Sequence, residues 1–178
     1  HYFEFFQGLS SNLEVIPIPS EDGKTDPVQL MAMAKKQFLE DSHKYSVDYR
    51  NGDNVWFVID TDKWEEQGKI KPLREFCNSL NISEFVKYSE IPKYEAWHVA
   101  QSNPCFEIWH YYHVFDERPN VEDVERSVSF KEYVNSVING GFNYETHSVA
   151  IEDAVVRSEA TLTYDEDNKL ALFSTEVF

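Results

Sequence analysis

The sequence is poor in cysteine and in positive charge, and it has no long hydrophobic run. Its two cysteines, Cys77 and Cys105, lack metal-ligand spacing, so we expect reduced, buried thiols and exclude a disulfide framework. No window approaches the roughly 20 apolar residues that cross a bilayer, and no signal peptide is recognisable, which predicts a cytoplasmic protein without a membrane span. With 16 basic against 32 acidic residues the net charge is −16, which excludes binding nucleic acid over a broad surface.

Aromatic and aliphatic side chains, by contrast, are abundant enough for a well-buried core. Hydrophobic residues fill 42% of the 178 positions and include 13 Phe, 10 Tyr and 4 Trp, which excludes a disordered chain. Helical and extended patterns alternate in the order of βαβ units, which predicts an α/β fold with a mostly parallel sheet flanked by helices. The pattern changes near residue 118, so we predict a core over residues 1–117 and a helical C-terminal extension over residues 118–178.

Individual elements follow from hydrophobic periodicity and from cap and turn residues. Short β-branched and aromatic segments predict strands at residues 13–17, 55–59, 82–86 and 96–100. Apolar residues at helical spacing predict helices at residues 2–9, 27–40, 72–80, 104–115, 130–138 and 148–164. Asn81 is expected to end a helix, and the residues from Thr175 onward resemble the start of another.

The most informative motif is a buried strand that runs directly into two carboxylates. Five apolar residues, 55–59, precede Asp60 and Asp62, and such a continuous run is typical of a strand covered on both faces. Ligands gather at the carboxyl ends of strands in open α/β sheets, and residues two apart on a strand face the same way, so this pair could hold one hard cation such as Mg²⁺. The alternative is a polar turn in which Asp62 caps a helix beginning near Trp64.

A second polar motif follows the strand predicted at residues 96–100. Ser102 and Asn103 resemble a helix cap, and Glu107 lies close to the start of the next helix, where the helix dipole favours its charged form. If this strand neighbours the one before Asp60, Glu107 and Asp60 emerge at the same sheet edge. The alternative is an ordinary capping box in which Glu107 satisfies a free backbone N–H.

Taken together, three segments resemble the RloB-like family, which is found beside restriction-modification and abortive-infection genes. They are residues 57–62 (Phe-Val-Ile-Asp-Thr-Asp), 102–109 (Ser-Asn-Pro-Cys-Phe-Glu-Ile-Trp) and 174–178 (Ser-Thr-Glu-Val-Phe). The resemblance covers nearly the whole chain and implies a Toprim-related fold that binds divalent metal to cleave phosphodiesters. It matches Asp60 and Asp62 with the Toprim Asp-x-Asp pair and Glu107 with the acid of the second segment.

The resemblance also implies cofactors and partners. We expect Mg²⁺ or Mn²⁺ at Asp60 and Asp62, Glu107 as a further catalytic residue, DNA or RNA as the substrate, and an ABC-type ATPase as partner in an anti-phage system. The family's first strand, with its Glu-Gly motif, is expected to precede His1, so both ends of this sequence are expected to continue. Self-association stays open.

Other functions are compatible with the same residues. The chain is alternatively a non-catalytic interaction subunit of such a system, or a nucleotide-sugar transferase that uses the Asp-x-Asp pair to hold its metal. One group of histidines fits either zinc binding or an ordinary aromatic helix face: His98, His110 and His113. The lysines after the Asp pair either contact phosphate or form a solvated helix face: Lys63, Lys69 and Lys71.

Overall fold

The computed structural model describes residues 2–6, 15–16, 26–87, 95–147 and 149–178, with the side chains of residues 83–87 left out. The described α-helices are α1 (Pro27–Ala34), α2 (Ile70–Lys87), α3 (Glu107–Tyr112), α4 (Val121–Glu125), α5 (Phe130–Val137) and α6 (Ile151–Thr161). The described strands are β1 (Val55–Asp60), β2 (Trp97–Asn103) and β3 (Ser174–Thr175). Short 3₁₀ turns lie at Phe3–Phe6 and Asp62–Trp64, and a π-helical turn, Lys35–Leu39, continues α1. None of the described helices has both the length and the apolar content for a bilayer crossing.

The described strands form a mixed sheet in the order β1-β2-β3. β1 pairs in parallel with β2, from Val55 opposite Trp97 to Asp60 opposite Ser102, as expected of strands joined by a helical crossover. β3 instead pairs antiparallel with the end of β2, where Ser102 faces Thr175. The prediction of a mostly parallel sheet is therefore wrong for the described residues, which form a mixed α/β fold with a small sheet flanked by helices.

The sheet differs from the predicted one partly because two of the predicted strands are not found among the described residues. The segment 82–86 lies inside α2, which continues to Lys87. A short apolar run fits a helix and a strand equally well in sequence, and here the helix is already established upstream. Asn81 does not end α2; its buried side chain accepts the N–H groups of Ala96 and Trp97 at 3.1 and 2.9 Å and donates to Trp97 O at 2.9 Å. The strand predicted at 13–17 falls mostly outside the described residues; of it, residues 15–16 are described, and they form no strand.

The C-terminal residues were also predicted wrongly as the start of a helix. Ser174 and Thr175 form β3 instead, and the hydroxyl of Thr175 has a buried partner on β2. Thr175 Oγ1 lies 2.8 Å from Ser102 Oγ, and both residues are fully buried. The last strand thus closes the sheet beside the end of β2.

Two described helices, α1 and α5, begin directly after a typical N-cap residue. Asp26 accepts the N–H of Val28 at 2.9 Å before Pro27 opens α1, and Ser129 accepts the N–H of Glu132 at 3.2 Å before α5. The helix predicted at 104–115 is shorter, because β2 extends to Asn103 and α3 begins only at Glu107.

Hydrophobic side chains pack on both faces of the sheet. Phe57 and Ile59 of β1 join Leu73 of α2 in one cluster, whereas Val58 faces a second cluster around Ala100. β1 is therefore buried on one face at Phe57 and Ile59 and only partly covered on the other, where Val58 packs but Trp56 is 52% exposed. A third cluster joins α3 with α5 and the residue before β3: Ile108, Tyr111, Tyr112, Phe130, Tyr133, Val134, Ile138 and Phe173. The division at residue 118 stays a prediction, and side chains from both sides of it share this third cluster.

Candidate functional site

Asp60 ends β1 at the carboxyl edge of the parallel pair, where β2 brings the next helix close. Its Oδ1 accepts the backbone N–H of Phe106, the residue immediately before α3, at 2.8 Å. Burial raises the pKa of Asp60, the Phe106 N–H opposes that rise, and the charges of Glu107 and Asp62 reinforce it. The charges of the other two predicted site residues therefore act on Asp60.

Asp62 stands on an unusual backbone. It has a φ of 33°, a left-handed conformation that costs a non-glycine residue about 1–2 kcal/mol. The chain is held there by the Asp62 N–H, which donates to Pro104 O at 3.2 Å, and by the Thr61 N–H, which donates to Ser102 O at 2.8 Å. The following turn has no side-chain cap, so the capping role considered for Asp62 is wrong, and its carboxylate is exposed.

Glu107 is the first residue of α3 and forms an ion pair that crosses to α5. Its Oε1 lies 2.8 Å from Lys131 Nζ, with the Glu107 side chain 17% exposed and that of Lys131 69% exposed. Burial opposes ionisation of Glu107, but hydrogen bonds from Lys131 and Cys105 hold its pKa below the ordinary value. Burial raises the pKa of the Cys105 thiol, which agrees with an inert, reduced cysteine.

The capping role considered for Ser102 and Asn103 is wrong. α3 has no side-chain cap, and the residues expected to provide one are used by the sheet instead. Asn103 Nδ2 donates to Leu170 O at 2.7 Å, and Ser102 contacts Thr175. The Glu107 carboxylate accepts hydrogen bonds from Lys131, from Cys105 and from a backbone N–H, and its charge acts on Asp60.

The oxygen donors at this edge suit a hard divalent cation in type and charge. Mg²⁺ commonly takes one or two carboxylates and keeps several waters, which Asp60 and the exposed Asp62 could supply with space for solvent. Across the described ranges, no group of three or more His, Cys, Asp or Glu side chains is arranged to hold a metal ion. Asp60 and Asp62 thus offer oxygen donors of the type that Mg²⁺ prefers, whereas Glu107 is paired with Lys131.

A partly buried polar network, which the sequence did not predict, links the end of β3 to the end of β1. Glu176, directly after β3, accepts hydrogen bonds from Arg74 Nη2 at 2.7 Å, from Gln101 N at 3.0 Å and from the Tyr164 hydroxyl at 2.8 Å. Arg74 also donates to Gln101 Oε1 at 2.8 Å, and Gln101 Nε2 donates to Thr61 Oγ1 at 2.8 Å. The chain between the two aspartates is thereby tied to the C-terminal residues. The only sequence signal was the position of Glu176 inside the third resembling segment.

We expect Glu176→Ala to lower the free energy of unfolding by about 2–3 kcal/mol, because it leaves the Arg74 charge and a buried N–H without their acceptor. Urea denaturation followed by circular dichroism measures the change. The matched control is Glu75→Ala, which removes an exposed carboxylate 3.8 Å from Lys71 and should cost no more than about 0.5 kcal/mol. Equal losses in the two variants would contradict the role of the network.

The other candidate groups do not join the site. His98 stacks on Trp56 at 4.3 Å between ring centroids, away from His110 and His113, which both stack on Phe142 at 5.0 and 4.8 Å. The described residues thus form an aromatic cluster and no zinc site. The lysines after the Asp pair make ordinary surface contacts: Lys63 and Lys69 with Trp64, Lys69 with Asp26, and Lys71 with Glu75.

Comparison with known proteins gives one result. A family model described as RloB-like protein matches residues 1–178. This confirms the resemblance inferred from segments 57–62, 102–109 and 174–178. No curated protein and no solved structure matches the chain.

Proposed function

The chain belongs to the RloB-like protein family, and on that premise we propose that it is the metal-dependent nuclease subunit of an anti-phage system. The observation that supports the proposal is the position of Asp60 at the carboxyl end of β1, two residues before Asp62 and hydrogen-bonded to the residue that precedes Glu107. Asp60 receives the N–H of Phe106, and the charges of the other two carboxylates act on it. Neighbouring carboxylates are costly to ionise together unless a cation offsets them, and Lys131 offsets only Glu107 directly.

Each residue has a distinct role in this proposal. Bound Mg²⁺ or Mn²⁺ would supply an activated water and charge stabilisation for phosphodiester hydrolysis. Asp60 would hold the cation with a carboxylate already oriented by the Phe106 N–H. Asp62, exposed on its strained turn, would complete the anchor on the solvent side, where a nucleic-acid strand can approach. Glu107 would orient water from the start of α3.

Because the protein has a large net negative charge, the proposed nuclease needs a metal ion or a partner protein to contact nucleic acid. With a net charge of −16, the chain repels a phosphate backbone over most of its surface, so contact is confined to a site neutralised by metal or to a surface supplied by another protein. An ABC-type ATPase, the partner implied by the family resemblance, would supply that surface and couple cleavage to nucleotide hydrolysis.

A non-catalytic interaction subunit is the second candidate, and a specific contact favours it. Lys131 already pairs with Glu107 at 2.8 Å, and no described group of three ligands is arranged around a metal. On this alternative the acidic edge is a neutralised structural feature, and the chain acts by binding its ATPase. Nothing in the described residues favours the nucleotide-sugar transferase.

Metal binding and cleavage separate the two candidates. At a Mg²⁺ or Mn²⁺ concentration about 100 times the dissociation constant, the nuclease should gain about 2.7 kcal/mol, or about 5–10 °C in melting temperature. With the ATPase present it should cleave DNA or structured RNA only when divalent metal is available. Cleavage that persists in excess EDTA, or a melting temperature indifferent to both metals, would refute the nuclease.

A further inference from the structure

We infer that Lys131 is a built-in counter-ion of the site, which positions Glu107 and competes with the divalent cation for the carboxylates; this rests on the proposed metal site. The ammonium group lies 2.8 Å from Glu107 Oε1, and its charge also acts on Asp60. The charge of Lys131 is thus paired with Glu107 and also acts on Asp60. No sequence signal indicated it, because Lys131 belongs to a distant amphipathic helix.

The base of Lys131 is held firmly by its helix. Its neighbours Phe130 and Val134 are buried against α3, and Ser129 caps α5 through the N–H of Glu132. Glu132 in turn accepts the N–H of Val128, the residue before Ser129, at 3.0 Å, which adds a second contact at the start of α5. The position of the lysine relative to Glu107 is therefore set by packing between α3 and α5.

The ammonium group of Lys131, in contrast, can move away from Glu107. Its side chain is 69% exposed, whereas that of Glu107 is 17% exposed, so the ammonium group can swing into water without unpacking the core. A divalent cation entering beside Asp60 meets repulsion from this charge and must displace it or share Glu107 with it. Lys131 accordingly weakens metal binding and keeps Glu107 oriented while the metal is absent.

The test compares Mn²⁺ dissociation constants, measured from the electron paramagnetic resonance signal of free Mn²⁺. Lys131→Gln should bind Mn²⁺ roughly threefold to tenfold tighter, because removing a unit charge near the carboxylates removes its repulsion of a dication. Lys131→Arg, which keeps the charge, should stay within about twofold of the wild type. The control Lys71→Gln removes an exposed lysine paired only with Glu75 among the described residues and should also change the constant less than about twofold.

A double-mutant cycle tests whether the effect runs through the pair. In a Glu107→Gln background, Lys131→Gln should tighten Mn²⁺ binding less than it does in the wild type, because the ion pair is already broken. Equal tightening in both backgrounds would overturn the positioning of Glu107. Unchanged or weaker binding in Lys131→Gln would overturn the counter-ion itself, and weaker nucleic-acid binding with unchanged Mn²⁺ affinity would identify a phosphate contact instead.

The outcomes also distinguish this inference from the metal site on which it rests. Combined Asp60→Asn and Asp62→Asn should abolish saturable Mn²⁺ binding. If the wild type shows no saturable binding, the metal site is wrong and Lys131 has no competitor. If the wild type binds Mn²⁺ through the aspartates while Lys131→Gln binds no tighter, only the counter-ion role is wrong.

Discussion

Asp60→Asn is expected to lower metal-dependent cleavage by about 100-fold or more while leaving the metal-free protein at least as stable as the wild type. The loss follows because the variant removes an anionic ligand, and a bound metal supplies several kcal/mol of transition-state stabilisation. Cleavage rates with the ATPase partner, at saturating Mg²⁺, measure the first effect. Thermal melting in EDTA measures the second.

The expectation that Asp60→Asn does not destabilise the metal-free protein follows from the surroundings of Asp60. Burial raises its pKa, as do the neighbouring charges of Glu107 and Asp62. An acid whose pKa is raised by folding weakens the fold when ionised, a penalty present above its folded pKa and absent below its unfolded pKa. At neutral pH asparagine removes that penalty, and its Oδ1 still accepts the N–H of Phe106.

The matched control is Asp41→Asn, which changes an exposed loop carboxylate and should alter neither property. Wild-type cleavage by Asp60→Asn would refute the nuclease site. A large loss of stability of the metal-free Asp60→Asn variant would show that the carboxylate has a structural role. Such a role would favour the interpretation of the motif as a polar turn at the end of β1.

The second large effect is a loss of stability in mild acid through two buried histidines. Burial lowers the pKa of His110 to about 4 and that of His113 to about 4, from an ordinary value of 6.5. Glu107 partly opposes the shift at His110, whereas the charge of His110 and, less strongly, that of Arg157 add to the shift at His113. His113 Nε2 lies 3.0 Å from the Tyr2 hydroxyl, whereas His110 Nε2 is buried and has no hydrogen-bond partner among the described residues.

The direction of the pH dependence follows from the sign of these shifts. Because both folded pKa values are depressed, the unfolded chain takes up the protons first as the pH falls. Stability from the neutral imidazoles is complete above pH 6.5 and is lost between pH 6.5 and 4, by about 3 kcal/mol for each histidine. Urea unfolding at several pH values across this window should show a steep fall.

His110→Phe provides the test of this slope. Phenylalanine keeps the stacking on Phe142 and removes one titrating group, so the variant should lose about half of the histidine contribution to the pH dependence. His43→Gln, an exposed histidine, is the control and should leave the slope as it is in the wild type. A slope unaffected by His110→Phe would contradict the buried neutral state.

Local signals in the sequence determined β1, its two aspartates, the start of α1 at Asp26-Pro27 and the amphipathic α5. Each depends on residues that are close together in the chain: a continuous apolar run, a cap with proline, or a helical period. The sequence favoured parallel strands, since helical crossovers join such pairs, but it left open whether β1 and β2 are neighbours. Membership of the RloB-like family was likewise readable from short segments.

Only the tertiary structure shows which residues from distant parts of the chain contact one another. Lys131 meets Glu107 because the hydrophobic face of α5 packs on α3, and Glu176 meets Arg74 because β3 adds to the sheet antiparallel. Asn81 likewise continues a helix because its buried amide finds partners on β2. Periodicity predicts which face of an element is buried, but the burial and charge of distant groups decide which side chains meet across that face.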